Sequence, residues 1–135
     1  MADIPDIETL GAARYVSLRT FKRDGGPIDV PVWPIPHDGR LFLFTDPASL
    51  KARRIGRDPR IELSVCNANG KRILSGWATG HAAPVLDAAL SDQAMKALRA
   101  KYGWQLPAIQ FVQWLRGRAD AYVIYELSVD AHGAQ

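Results

Sequence analysis

Apolar and polar positions alternate in short runs along most of this 135-residue chain. Over residues 15–19, Val16 and Leu18 fall on one face and Ser17 and Arg19 on the other, the period-two pattern of a half-buried strand. Ile28, Val30 and Val32 share a face opposite Asp29 and Trp33, in a segment running over 28–36. Residues 41–44, Leu-Phe-Leu-Phe, are apolar on both sides, as expected of a strand buried on both faces or set in an interface. Ile61, Leu63 and Val65 alternate with Glu62, Ser64 and Cys66, and a further strand segment covers 73–85. Late in the chain Ala121, Val123, Tyr125, Leu127 and Val129 form one long face, opposite Tyr122, Ile124 and Glu126.

Turn chemistry divides these runs. Asp24-Gly25-Gly26-Pro27, Asp38-Gly39 and Asn69-Gly70 supply the positive φ angles that tight hairpins demand, which predicts three hairpins. Pro31 and Pro34 lack the N–H that a ladder needs, so their segment is an edge strand, a bulged strand, or one opened locally to a ligand. Helical patterns are fewer. Residues 49–57 form a short basic helix that ends before Pro59. Ser91 is placed to cap a helix reaching Tyr102, with Ala94, Leu98 and Tyr102 on one stripe and Gly103 as its terminator. Residues 107–116 fit a second helix, with Pro107 in its first turn and Ile109, Val112 and Leu115 facing inward. Strands, a short helix, more strands, two helices and a closing strand describe a mainly β fold, a small β-barrel with α insertions.

Composition narrows the class. At 47% hydrophobic and 23% charged, residues 1–135 read as one globular domain. The single cysteine, Cys66, excludes an internal disulfide framework and a cysteine-based zinc cage. No apolar run is long enough to cross a bilayer, and residues 1–11 have no signal-like core, so a cytoplasmic location is expected. With 17 Lys+Arg against 14 Asp+Glu, the formal charge of +3 is too mild to imply a nucleic-acid partner. Its distribution says more. Lys51, Arg53, Arg54, Arg57 and Arg60 fall within ten positions, relieved only by Asp58. His37, His81 and His132 show no metal-ligand spacing, and no metal is expected. There is no nucleophile elbow, no glycine-rich phosphate loop and no suggestive pair of carboxylates. If the chain is an enzyme, a cofactor carries its hard chemistry, and no catalytic side chain is singled out.

Residues 42–66 hold the candidate site. A strand ends at Thr45, Asp46-Pro47-Ala48 makes a turn, and a helix opens at Ser49. A helix start presents unpaired N–H groups and the positive end of the dipole. Ser49, Lys51 and Arg54 around such a start, beside the hydroxyl of Thr45, make a phosphate pocket; a solvated basic helix face has the same spacing.

These residues carry a resemblance. Tyr15-Val16-Ser17-Leu18-Arg19-Thr20, Asp29-Val30-Pro31-Val32-Trp33, Leu43-Phe44-Thr45-Asp46 with Ser49, Lys51 and Arg54, Arg57-Asp58-Pro59-Arg60-Ile61, and Lys101-Tyr102-Gly103-Trp104 are the matching stretches. Over roughly residues 10 to 130 the chain resembles the FMN-binding split β-barrel proteins related to pyridoxamine 5′-phosphate oxidase (the PNPOx-like, or PPOX, class). Within them it is similar to small proteins classed as oxidoreductases dependent on the deazaflavin coenzyme F420. The resemblance implies a homodimer of six-stranded antiparallel split barrels, with a short helix after the third strand and two helices before the last. Two cofactor sites would lie in grooves between the subunits. Thr45, Ser49 and Lys51, with Arg54 beside them, would hold the phosphate. The ring would lie along backbone groups of Val30, Pro31, Val32 and Trp33, with the partner contributing near Trp77 or Trp104. The authentic oxidases carry an Arg-Lys pair where this chain has Leu50-Lys51, and a C-terminal extension absent before Gln135. Oxidation of the vitamin phosphate is therefore not expected. The implied activity is hydride transfer from reduced F420 to an electron-poor small molecule. An FMN-binding oxidoreductase on the same fold, or a non-catalytic binder of flavin, deazaflavin or tetrapyrrole, is the alternative.

Overall fold

The computed structural model describes residues 3–103 and 122–130. A short helix α1 (Ile7–Ala12) precedes strands β1 (Val16–Phe21), β2 (Pro27–Val32), β3 (Ile35–His37) and β4 (Arg40–Thr45). Helix α2 (Leu50–Arg57) follows, then β5 (Arg60–Val65), β6 (Ala78–Pro84), helix α3 (Ala88–Tyr102) and β7 (Val123–Val129). The seven strands among the described residues join one antiparallel sheet in the order β2-β1-β5-β6-β7-β4-β3. Its two edges, β2 and β3, are consecutive in the chain and separated only by Trp33 and Pro34. Two residues span about 7 Å at most. The sheet must therefore curl until its ends meet across a slit, the form of a split barrel.

The curl produces two cores. Inside it, Val16, Leu18, Leu41, Leu43, Ile61, Leu63 and Leu127 pack together, joined by Leu10 of α1 and Ala52 and Ile55 of α2. Outside it, α3 lays Ala94, Met95, Leu98 and Tyr102 over Ile35, Phe42 and Ile124. Strand β4 feeds both, Leu41 and Leu43 inward and Phe42 outward, as its unbroken apolar run requires. The β3–β4 hairpin turns on Asp38 and Gly39 at φ 53° and 73°, the paired positive angles its sequence predicts.

Several expectations are corrected. The 28–36 segment breaks at Trp33-Pro34, giving seven strands where six were expected, because a proline beside the slit ends the ladder on both sides. The 73–85 strand begins only at Ala78; before it, Ile73 makes an isolated bridge to Cys66. Ser17 is buried rather than solvent-facing, and its register partner Ser64 is closed over by bonds to Ser75. Helix α1 carries no clear sequence signal; Asp6 caps it through the Thr9 N–H. Asp87, not Ser91, caps α3, because its carboxylate reaches the N–H groups of Ala89 and Leu90. Gly103 has right-handed helical angles, so it is no left-handed terminator. The helix expected over 107–116, Trp104, Trp114, Ala121 and His132 lie outside the described residues.

Candidate cofactor site

Where the slit opens, a cleft of about 240 Å³ lies between the end of β2 and strand β4. Pro31, Val32 and Trp33 form one wall, Leu43 and Phe44 the other, and Leu98 of α3 closes the back. Lys51 is the one cation among these lining residues. The walls draw on both cores, Val32 and Leu43 from inside the barrel and Trp33, Phe44 and Leu98 from under α3. The cleft therefore lies beside the break between the two sheet edges, where the inner and outer cores meet.

Helix geometry delivers Lys51. Ser49 caps α2, its hydroxyl oxygen accepting from the Ala52 N–H at 3.2 Å. Lys51 sits in the first turn, half-buried, and its ammonium has no hydrogen-bond or ion-pair partner among the described residues. Burial pushes its pKa below the ordinary lysine value, the nearby Arg54 charge pushes the same way, and Asp46 opposes them. Thr45, fully buried at the end of β4, lies 3.2 Å from Ser49, Oγ1 to Oγ. Two hydroxyls sharing one hydrogen bond retain one proton to donate elsewhere. Arg54 stands one turn along α2 with its Nε donating to Thr20 Oγ1 at 2.6 Å. Arg57 is tied to the Phe21 carbonyl and Arg60 to Asp58, so those two are spent locally.

The Trp33 wall of the cleft is held by more contacts than its sequence suggested. Trp33, expected on a polar face, is half-buried and stacks on Tyr102 with ring centroids 4.5 Å apart and planes 6° from parallel. Tyr102 in turn shares its one hydroxyl proton between the carbonyls of Arg14 and Pro34, at 3.0 and 3.1 Å. Lys101 places its ammonium on three carbonyls: Gly11 at 2.7 Å, Ala13 at 2.6 Å and Pro34 at 3.0 Å. Burial and the Arg14 charge lower its pKa to about 8.

Of the sequence-predicted residues, Pro31, Val32, Trp33 and Lys51 are brought together at the cleft. Thr45, Ser49 and Arg54 gather at the foot of the same helix. Val30 turns into the barrel core, leaving only its backbone at the strand edge. Trp77 sits elsewhere, beneath the Arg19 guanidinium at 3.8 Å, where Arg19 also bridges Asp29 and Glu62 on the outer face of the sheet. Pattern reading missed Leu43, Phe44 and Leu98 as walls. Their only signal is the double-faced apolar run of β4 and the apolar stripe of α3. Among the described residues no group of three His, Cys, Asp or Glu side chains could hold a metal ion. No described helix is long and apolar enough to cross a membrane.

Residues 7–124 match the sequence model of the pyridoxamine 5′-phosphate oxidase family. The chain belongs to that family. Comparison with curated proteins gives no match. Among solved structures, a conserved hypothetical protein of Mycobacterium tuberculosis aligns at TM-score 0.72 and 19% identity, over 97% of this chain and 85% of that one. The haem storage protein HutZ of Vibrio cholerae aligns at 0.69 and 14%, over 92% and 87%. An FAD-binding protein of Mesorhizobium loti aligns at 0.63 and 22%, over 92% and 86%. At these identities the likeness establishes a common fold.

Proposed function

We propose that this protein is an oxidoreductase that binds reduced coenzyme F420 between two copies of the chain and directs its hydride to an electron-poor small molecule. The observation that carries the reading is Lys51. A half-buried ammonium with no hydrogen-bond or ion-pair partner among the described residues loses hydration that the Asp46 charge only partly offsets, and an anion would restore the rest. The remaining hydroxyl proton of the Thr45–Ser49 pair and the first-turn amides of α2 add neutral donors beside it. A phosphate fits this donor set, and an aromatic ring fits the apolar cleft next to it.

When bound, the deazaflavin ring supplies the hydride. The chain's own part is positional. Lys51 neutralises and anchors the phosphate, Arg54 adds a second positive charge along α2, and Trp33 with Val32 and Leu43 shields the ring face from water. On the edge of β2 that faces away from β1 no described strand pairs, so the outward-pointing backbone groups over Val30 to Val32 can bond the ring's polar rim. At about 240 Å³ the cleft falls short of the ~300–1,000 Å³ of a complete ligand site, which favours a homodimer whose second copy closes the groove. Leu50, 68% exposed beside Lys51, suits such a covered surface.

The FMN reading rests on the same residues, since one phosphate and a flat ring satisfy this donor set equally; the FAD-binding relative of the same fold adds to it. A non-catalytic binder is the third reading, supported by the haem storage relative. Titration with F420 and with FMN, followed by single-turnover oxidation of the reduced cofactor with quinones and enones, separates the three. F420 binding with turnover is expected. Failure to bind either ring would remove the proposal, and tight binding with no hydride transfer would leave a storage protein.

A further inference from the structure

Lys101 and Tyr102 make contacts that neither packing nor phosphate binding requires. Three segments meet at the Lys101 ammonium: the end of α1 through Gly11 and Ala13, the slit through Pro34, and α3 itself. The Gly11 and Ala13 carbonyls belong to the last turn of α1, where carbonyls lack helical partners. Pro34 is the residue that joins the two sheet edges, and its carbonyl takes two donors, Lys101 Nζ and Tyr102 Oη. The residue before it, Trp33, lies flat on the Tyr102 ring. One helix end therefore grips the hinge of the slit at its backbone and at its side chain.

We propose that Lys101 and Tyr102 are positioning residues that set the plane of Trp33 at the cleft wall, and that the grip on Pro34 depends on the charged form of Lys101. This rests on the functional reading above only for what the wall contacts; the clamp itself is a property of the cofactor-free chain. An ammonium offers three protons to three carbonyls; a neutral amine offers two. The bond to Pro34, at 3.0 Å, is the longest of the three and the first to be given up. Among the described residues the charge acting on Lys101 is Arg14, whose guanidinium donates to the Lys101 carbonyl at 3.2 Å and lies 4.8 Å from the Tyr102 ring centroid. Burial holds the Tyr102 phenol well above its usual range, so it stays protonated while Lys101 titrates. With Lys101 losing its proton near pH 8, the clamp is closed at neutral pH, half released near 8 and relaxed about one unit above that.

The test is near-ultraviolet circular dichroism of cofactor-free protein between about pH 6.5 and 9.5, a window chosen to bracket the Lys101 pKa of about 8. The Trp33–Tyr102 contribution is defined as the signal removed by Trp33→Phe. It is expected to fall with a midpoint near 8 in the wild type, and to sit at the low level throughout in Lys101→Met. Tyr102→Phe keeps the ring and removes the hydroxyl; it is expected to bind FMN several-fold more weakly at pH 7. Should Lys101→Met not fold, the wild-type titration and Tyr102→Phe decide the matter. A pH-independent signal in the wild type, with unchanged FMN affinity in Tyr102→Phe, would overturn the clamp. If the wild type binds neither FMN nor F420, the functional reading falls, and the cofactor-free titration still judges the clamp.

Discussion

Lys51 is the residue on which binding and stability pull in opposite directions. Charged, half-buried and without a bond among the described residues, it is expected to weaken the empty protein and, on the proposed function, to strengthen the loaded one. Lys51→Ala is expected to lower affinity for FMN or F420 about 10- to 100-fold, the loss of one charge-assisted contact, with the ligand-free Tm unchanged or higher. Its pKa lies below the unfolded value, so the unfolded chain binds more protons between the two, and stability from this group rises with pH across that interval. Calorimetry of ligand-free protein should show Lys51→Met more stable at neutral pH, with the gap narrowing toward pH ~10. Trp33 acts with one sign in both states. Because it stacks on Tyr102 as well as lining the cleft, Trp33→Ala should lower stability by about 2 kcal/mol and FMN affinity about tenfold. Its stacking partner Tyr102 lies more than sixty positions along the chain, out of reach of local pattern.

At the scale of elements, hairpins were the most legible features, because Asp38-Gly39 and Asn69-Gly70 state their backbone angles in residue type. Double-faced burial of β4 was legible from its unbroken apolar run. Helix starts were less so. Ser91 has the right chemistry for a cap, yet Asp87 lies one turn earlier and takes the role, which adds a turn to α3 and puts Leu90 against the outer core. Asp87→Ala is therefore expected to reduce the unfolding free energy by about 1 kcal/mol, while Ser91→Ala leaves it nearly unchanged; chemical denaturation distinguishes them. The early end of the 73–85 strand was hidden because apolar residues such as Ile73 and Leu74 pattern like strand but remain exposed. Gly80 marks the tightest join of the sheet: a methyl there would stand 1.8 Å from the Ser128 carbonyl of β7. Gly80→Ala should destabilise by more than ~3 kcal/mol, read as a large drop in Tm.

For the whole molecule, the decisive event is that a chain interrupted at Trp33-Pro34 supplies both edges of one sheet. Local pattern announced the interruption, but only closure of the seven strands turns it into a slit. The same closure brings Leu98 and Tyr102 to face Trp33, which no spacing along the chain could reveal. The grouping of Thr45, Ser49, Lys51 and Arg54 was legible because they lie within one strand-turn-helix unit; the cleft wall was legible only as far as β2. A half-open cleft of about 240 Å³ predicts that cofactor affinity depends on protein concentration. Dilution monitored by sedimentation should release cofactor as dimers part, whereas a self-sufficient monomer would hold it. The most direct test of the central claim is isothermal titration of wild type and Lys51→Ala, side by side, with F420 and FMN. Binding of at least one ring to wild type, weakened at least tenfold in a variant of undiminished Tm, is the predicted result. Equal affinity in the two proteins would contradict it.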